Sequence, residues 1–375
     1  MFNANYILYP FIILLGFLLE RYEQRDKRIR IIYIATVLLV LLLQVALRGP
    51  SVGSDTPVYM DTFEHIDNNS WAEIWTNFKL RYFYFIGTED VGFFVANKFI
   101  YDFITTDFHT YCFLIGLTFF IPLGIIIYKF SKNIYYSMFA LVMYTSLFHT
   151  IALAGGRQLY AMGFCMMAFL CVEKDQYKKA IIYILIGVLF HMTALLFYGY
   201  IAINYFRPRF GKRLHFYTFF GVPFVLMFTN TVILFMANIS GNERYTFYGE
   251  GEIQGGVWTF IILIEFLSLF CFWTLNSKYI YDDHPEIGRI YNVLPFVTVL
   301  APLIHSNGSM IRISMYYHLY LTILVPIACE RFFGKKQIRQ YLFYIILFLI
   351  FLTLSSTSGR YIFYWDDVEY WELEY

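Results

Sequence analysis

Charge is scarce in this chain. Only 15% of its 375 residues are Asp, Glu, Lys or Arg, against about 25% in soluble globular domains. The net charge of +1 leaves no basic field for nucleic acid. Five cysteines (Cys112, Cys165, Cys171, Cys271 and Cys329) all fall in apolar runs. Their spacing fits neither a metal site nor a disulfide framework, and they read as small buried hydrophobes. Low-complexity linkers and internal repeats are absent, so residues 1–375 read as one membrane domain. The glycines of Gly249-Glu250-Gly251 and Gly255-Gly256 lack the strand–turn–helix setting of a phosphate loop. Asp282-Asp283-His284 and Asp366-Asp367 look superficially like ion ligands but read as solvated charge. No metal site and no cofactor is expected, and a nucleotide-sugar enzyme on the cytoplasmic face is disfavoured.

What is present is hydrocarbon: 59% of the residues are hydrophobic and 22% aromatic, with 34 Tyr and 42 Phe. Belts at two interfaces use part of that aromatic excess. The rest suits a wet cavity in which flat rings face sugars. Apolar segments run at 6–19, 31–47, 109–128, 134–151, 157–172, 180–206, 215–237, 257–275, 290–304, 311–329 and 341–356, with a short further run at 91–104. A crossing helix needs about 20 residues, so the expectation is an all-α, polytopic bundle of about 11–12 membrane segments. The run at 6–19 has neither a basic leader nor a small-residue cleavage site, and reads as a retained helix.

Basic residues orient the segments. Arg21, Arg25, Lys27, Arg28 and Arg30 cluster after the first one, which puts that loop in the cytoplasm and the N-terminus outside. Lys129, Lys132, Lys174, Lys178, Lys179, Arg331, Lys335, Lys336 and Arg339 then also fall inside if 91–104 does not cross. Arg207, Arg209, Lys212 and Arg213 would fall outside if 180–206 crossed once. Two half-helices meeting at His191-Met192-Thr193 return the chain to the cytoplasm and repair the pattern; broken helices occur where backbone lines a protein cavity. The alternative, with 91–104 crossing and 180–206 a single tilted span, puts five lysines outside. The loop at 48–107 is then the largest extracytoplasmic loop, and the acidic tail at 357–375 is extracytoplasmic too. Trp71, Ile74, Trp75 and Phe78 recur at helical spacing within that loop, as in an interfacial amphipathic helix.

Arginines stand at three hydrocarbon edges. Arg48 closes 31–47, Arg157 opens 157–172 and Arg312 opens 311–329. A guanidinium binds phosphate oxygens bidentately and stays charged at working pH; it also snorkels at helix ends with no ligand at all. Both readings stand for each of the three. His191, at the break, reads either as a base for a hydroxyl proton or as a hydrogen-bonded core histidine. Asp55 is a competing base, or a residue of the turn Gly53-Ser54-Asp55-Thr56-Pro57. Glu89 and Asp90 serve as base, as sugar ligands or as solvated loop carboxylates. Tyr59, Gln158, Tyr316, His149 and His305 offer ring, amide and imidazole groups to sugars, and the two histidines, with His318, also fit structural positions.

The motifs resemble a family. Arg48-Gly49-Pro50-Ser51-Val52-Gly53-Ser54-Asp55-Thr56-Pro57-Val58-Tyr59 is similar to the Arg-x-x-x-Val-Gly-Thr-Asp-Tyr-x-x-Tyr motif of EpsG-like polysaccharide polymerases, relatives of Wzy. Asp90-Val91-Gly92-Phe93 resembles their Glu-Pro-Gly-Phe, and Gly156-Arg157-Gln158 their Arg-Gln helix start. Phe190-His191-Met192-Thr193-Ala194-Leu195 resembles Phe-His-x-Ser-Ala-Leu. Arg312 with Tyr316 and Tyr317 resembles the late arginine with aromatic neighbours. The resemblance implies a bacterial cytoplasmic-membrane glycosyltransferase with a GT-C-like fold, usually without a metal. It implies oligosaccharide repeat units on undecaprenyl diphosphate as donor and acceptor, joined at the outer face. A flippase and a chain-length regulator are the implied partners. Two other readings remain: a flippase for the same lipid-linked sugars, and a membrane O-acyltransferase.

Overall fold

The computed structural model describes residues 5–84, 86, 90–206, 211–229, 231, 257–275, 285–305, 310–334, 344–345, 347–349 and 361–366. Glu89, Arg207, Arg209, Asp282, Asp283 and the tail from 367 onward lie outside the described residues. Among the described residues there is no strand, only an isolated bridge between Arg48 and Phe363. Four helices are long and apolar enough to cross a bilayer: Arg28–Ala46, Phe108–Phe130, Val257–Leu275 and Glu286–His305. Ile311–His318 and Leu321–Phe333, bent by 47°, make a fifth if taken as one span. The protein is therefore an all-α polytopic membrane protein, as its composition demands. Two compact units divide it: Met1–Ala168, Ile182–Leu195 and Ser355–Tyr375 form one, Phe169–Ile181 and Leu196–Leu354 the other.

The first unit begins with α1 (Asn5–Glu23), packed on α2 (Arg28–Ala46). After a turn come α3 (Thr56–Glu64), α4 (Trp71–Tyr82), α5 (Val91–Phe103), α6 (Phe108–Phe130), α7 (Ile134–Leu147) and α8 (Thr150–Ala154). α9 (Gly156–Val172) and α10 (Tyr177–Phe190) follow, with Phe169–Ile181, the end of α9 and the start of α10, counted in the second unit. α4 starts where Ser70 and Glu73 cap each other reciprocally, and α6 starts at an Asp107 cap, with Thr110 N–H to Asp107 Oδ2 at 2.7 Å. α5, at 13 residues, is about 20 Å long and too short by itself to cross about 30 Å of hydrocarbon.

Polar side chains mark the two ends of this unit. At one end Arg30 donates to Ser131 O, pairs with Glu23 at 3.7 Å and lies over the Tyr128 ring. The other oxygen of Glu23 accepts Ile134 N–H at 2.8 Å, tying α1 to the start of α7. At the far end of α2 the chain meets residues 361–366. Gly49 N–H donates to Ile362 O at 2.9 Å and Tyr364 N–H to Leu47 O at 3.1 Å. Tyr361 O–H reaches Gln44 O, and the His109 and Tyr364 rings stack 3.9 Å apart. Arg48 and the basic cluster at 21–30 thus occupy opposite ends of one helix.

The break expected near His191 is present. α10 stops at Phe190, His191 is non-helical, and a 3-10 turn (Met192–Phe197) leads into α11 (Tyr198–Phe206). In the second unit Tyr177 O–H donates to Asn204 O at 3.2 Å, and the Tyr177 and Tyr205 rings lie 5.2 Å apart. The start of α10 and the end of α11 are therefore neighbours, which is the geometry of two half-helices that return the chain to the end it left.

The second unit continues with α12 (Gly211–Met227), α13 (Val257–Leu275), α14 (Pro285–Tyr291), α15 (Leu294–Leu300), a 3-10 turn (Ala301–His305), α16 (Ile311–His318) and α17 (Leu321–Phe333). α13 packs on α15 and α17, where the Ser268 and Thr298 hydroxyls bond at 2.8 Å. Arg289 clamps the turn before α10, donating to Glu173 O and to both oxygens of Asp175. Phe296 stacks on Tyr317 at 4.4 Å, and the Tyr317 hydroxyl caps Leu196 O.

Candidate active site

The site is built on the turn between α2 and α3. Gly53 has φ +90°, and an added Cβ there would collide with the Leu153 carbonyl. Only glycine takes that backbone cheaply. Gly53→Ala is expected to destabilise the unit by about 1–3 kcal/mol, read as a lower unfolding midpoint in detergent. Arg48 is sealed under this turn at 3% exposure. Its Nε donates to Thr56 Oγ1 at 3.1 Å and its Nη1 to Val45 O. Thr56 in turn donates to Val52 O at 2.6 Å. Arg48 therefore staples the last turn of α2 to the first of α3. It also lines a small cavity with Tyr59, Tyr111, Cys112 and Gly156.

Asp55 stands at the N-cap of α3, with Pro57 in its first turn. Ser54 O–H donates to its carboxylate at 2.9 Å. One turn on, Tyr59 lays its ring over Gly156. The absent side chain at 156 lets the head of α9 approach that ring, and the next residue is Arg157. The Arg157 Nη1 lies 3.4 Å from Asp90 Oδ2. Its guanidinium lies 5.9 Å from the centroid of Tyr59 and 5.6 Å from that of Phe93, rings that are 5.5 Å apart. These ring contacts, with the hydrogen bonds to Asp90 and Tyr59, hold the fork in place. The side chain is one-third exposed, while Asp90 is at 15%. Asp55 adds its field to Arg157.

Asp90 sits just ahead of α5, outside the spanning helices. Burial pushes its carboxyl up to about 6; the Arg157 and Arg81 charges and the Met192 backbone N–H oppose that rise. Gly92 is where α5 meets the broken helix, because a Cβ there would strike the Leu189 carbonyl. The break thus abuts Asp90 through Met192 and Leu189. His191 is fixed in it, with the Thr193 hydroxyl 3.3 Å from Nδ1.

The structure brings together Arg157, Asp90, Tyr59 and Asp55, with the His191 break against them. Gln158 is buried beside Arg157. His149 is buried and committed to architecture, its ring nitrogens at 2.9 Å from Gln44 Oε1 and 3.3 Å from the Tyr144 hydroxyl. Arg312, Tyr316 and His305 belong to the second unit. Arg312 opens α16, Tyr316 is buried, and His305 packs on the Trp258 ring at 4.5 Å. Sequence reading carried Phe93 and Met192 within motifs but gave no role to the Phe93 ring or the Met192 N–H, and it did not single out Arg81.

A helical polytopic membrane protein with an arginine–carboxylate pair framed by aromatic rings is what fold and site define. The chain belongs to the EpsG family, whose sequence profile matches residues 30–365. That span contains every residue of the site. No curated protein and no solved structure matches the chain. Membership points to polysaccharide biosynthesis at a membrane.

Proposed function

We propose that this protein is a Wzy-type polysaccharide polymerase. It joins oligosaccharide repeat units carried on undecaprenyl diphosphate at the outer face of the bacterial cytoplasmic membrane. The observation that carries the reading is the Arg157–Asp90 pair, one partly exposed cation beside one mostly covered carboxylate.

In the reaction, an acceptor hydroxyl oxygen bonds to the anomeric carbon of the donor sugar. The bond from that carbon to the diphosphate oxygen breaks, and its electron pair leaves with the diphosphate. Arg157 stabilises the charge that develops there, in a site already largely shielded from water. Asp90 takes the acceptor proton; a carboxyl poised near 6 is a far better base at neutral pH than one at 3.8. As the diphosphate claims Arg157, Asp90 loses its counter-charge and its basicity rises, so substrate binding prepares the proton transfer. Tyr59 and Phe93 are buried, and their rings hold the Arg157 fork. Arg48 holds the turn that places Tyr59.

Reconstitution with one defined lipid-linked oligosaccharide is the test. A ladder of products, each longer by one repeat unit, is expected. Flipping of the lipid without extension, or acylation without extension, overturns the polymerase reading. Among the candidate bases, Asp90→Asn is expected to lose more turnover than Asp55→Asn or His191→Ala. The reverse order, measured on the same ladder, moves the base away from Asp90.

A further inference from the structure

We propose that Arg81 supplies a second guanidinium to the lipid-borne diphosphate, alongside Arg157. The inference rests on the polymerase reading and adds to it a residue from the amphipathic helix α4. α4 and α5 pack as an antiparallel pair. The pair is registered at one end by Trp71 Nε1–H donating to Asp102 Oδ2 at 2.9 Å, and Asp102 is itself held by Lys98 at 3.0 Å. Ten residues run from Trp71 to Arg81 along α4 and twelve from Asp102 back to Asp90, a rise of about 15 Å against about 18 Å. The last turn of α4 is therefore level with Asp90. The chain folds back at that point, with Tyr84 N–H on Lys79 O and Ile86 N–H on Leu80 O. In keeping with this register, the Arg81 charge acts on both Asp90 and Tyr82.

Three further observations suit a diphosphate. Arg48 is spent on Thr56 and Val45 O, so it leaves the fork of Arg157 without an arginine partner of its own kind. Lys79, the other cation of the last turn, lies over the Trp75 ring at 5.6 Å. Finally, Trp75, Phe83 and Tyr84 are exposed at 55, 68 and 66%. Aromatic rings of this kind sit at headgroup depth, the depth at which a lipid carries its phosphates.

The test uses the full chain in nanodiscs and two probes, geranylgeranyl diphosphate and the matching monophosphate. Discs of phosphatidylcholine alone are compared with discs containing phosphatidylglycerol. Arg81→Gln is expected to weaken diphosphate binding about tenfold in both bilayers, with less effect on the monophosphate, because one charge-assisted fork is lost. Arg81→Lys, which keeps the charge and tests the fork should the glutamine variant fail to fold, is expected to bind with intermediate affinity. In turnover, Arg81→Gln raises KM for the lipid-linked donor more than it lowers kcat. Undiminished diphosphate affinity in Arg81→Gln, beside a loss in Arg157→Gln, overturns the inference and leaves the polymerase reading standing. Weakening confined to discs with phosphatidylglycerol assigns Arg81 to bilayer headgroups and also overturns it. No diphosphate binding by the wild-type protein, or equal binding by Arg157→Gln, removes the polymerase reading and this inference with it.

Discussion

Arg157→Lys is expected to lower the rate of chain extension by about two to three orders of magnitude, or about 2.7–4 kcal/mol of barrier, the cost of losing one preorganised donor to a developing oxyanion. Lysine keeps the charge but not the planar fork that bonds two phosphate oxygens at once. It also loses much of the ring contact with Tyr59 and Phe93 that holds the guanidinium in place. The fold should survive, because the side chain is one-third exposed and heads a helix rather than filling a core. The measurement is repeat units added per minute by reconstituted protein at matched, folded concentration. A variant that extends chains at the wild-type rate removes Arg157 from the diphosphate.

Asp90→Asn is the second large effect, a loss of about 10²–10⁴ in turnover, the usual contribution of a positioned base. Its pH signature separates a base from a strut. A base accepts a proton only when ionised, so wild-type turnover should climb as pH rises through about 6, the value to which burial lifts Asp90. Removing the Arg157 charge takes away an influence that lowers this value. The acid limb of Arg157→Gln should therefore move to higher pH, while that of Arg157→Lys stays near its place. Asp90→Glu keeps the ionisable group and should recover part of the rate. An acid limb that ignores every substitution at 157 assigns it to another group.

Hydropathy located the long helices closely. The run at 31–47 is α2, 109–128 is α6, and 257–275 is α13 with the same bounds. It did not see the interruption in 134–151. There α7 ends at Leu147, the Phe148 and His149 N–H groups both bond to Tyr144 O, and the imidazole is taken by Gln44 and Tyr144. Average apolarity does not register where one polar side chain finds its partners. The break at His191 was legible because the basic residues after it demanded a return. The helix α4 was legible from its period, and it is two-sided: Ile74 is buried while Trp75 faces out.

The arginines show where reading stops. Arg48 and Arg157 look alike in the sequence, each at the edge of an apolar run. One is sealed beneath a turn and the other is open, and the difference lies in Gly53 and Thr56 on one side and in Asp90 on the other. Asp90 and Arg157 are 67 positions apart, so no local pattern couples them. Arg81 is hidden for the same reason, since its level relative to Asp90 is set by the Trp71–Asp102 hydrogen bond rather than by anything within its own helix.

The clasp of residues 361–366 on α2 bears on biogenesis. A ribosome makes α2 early and its partner segment late, after the whole second unit has been threaded into the bilayer. Until then the Gly49 N–H and Leu47 carbonyl lack the partners that Ile362 and Tyr364 provide. The helix end that seats Arg48 is thus completed last, and a chain cut short before residue 361 would enter the membrane with that end unclasped.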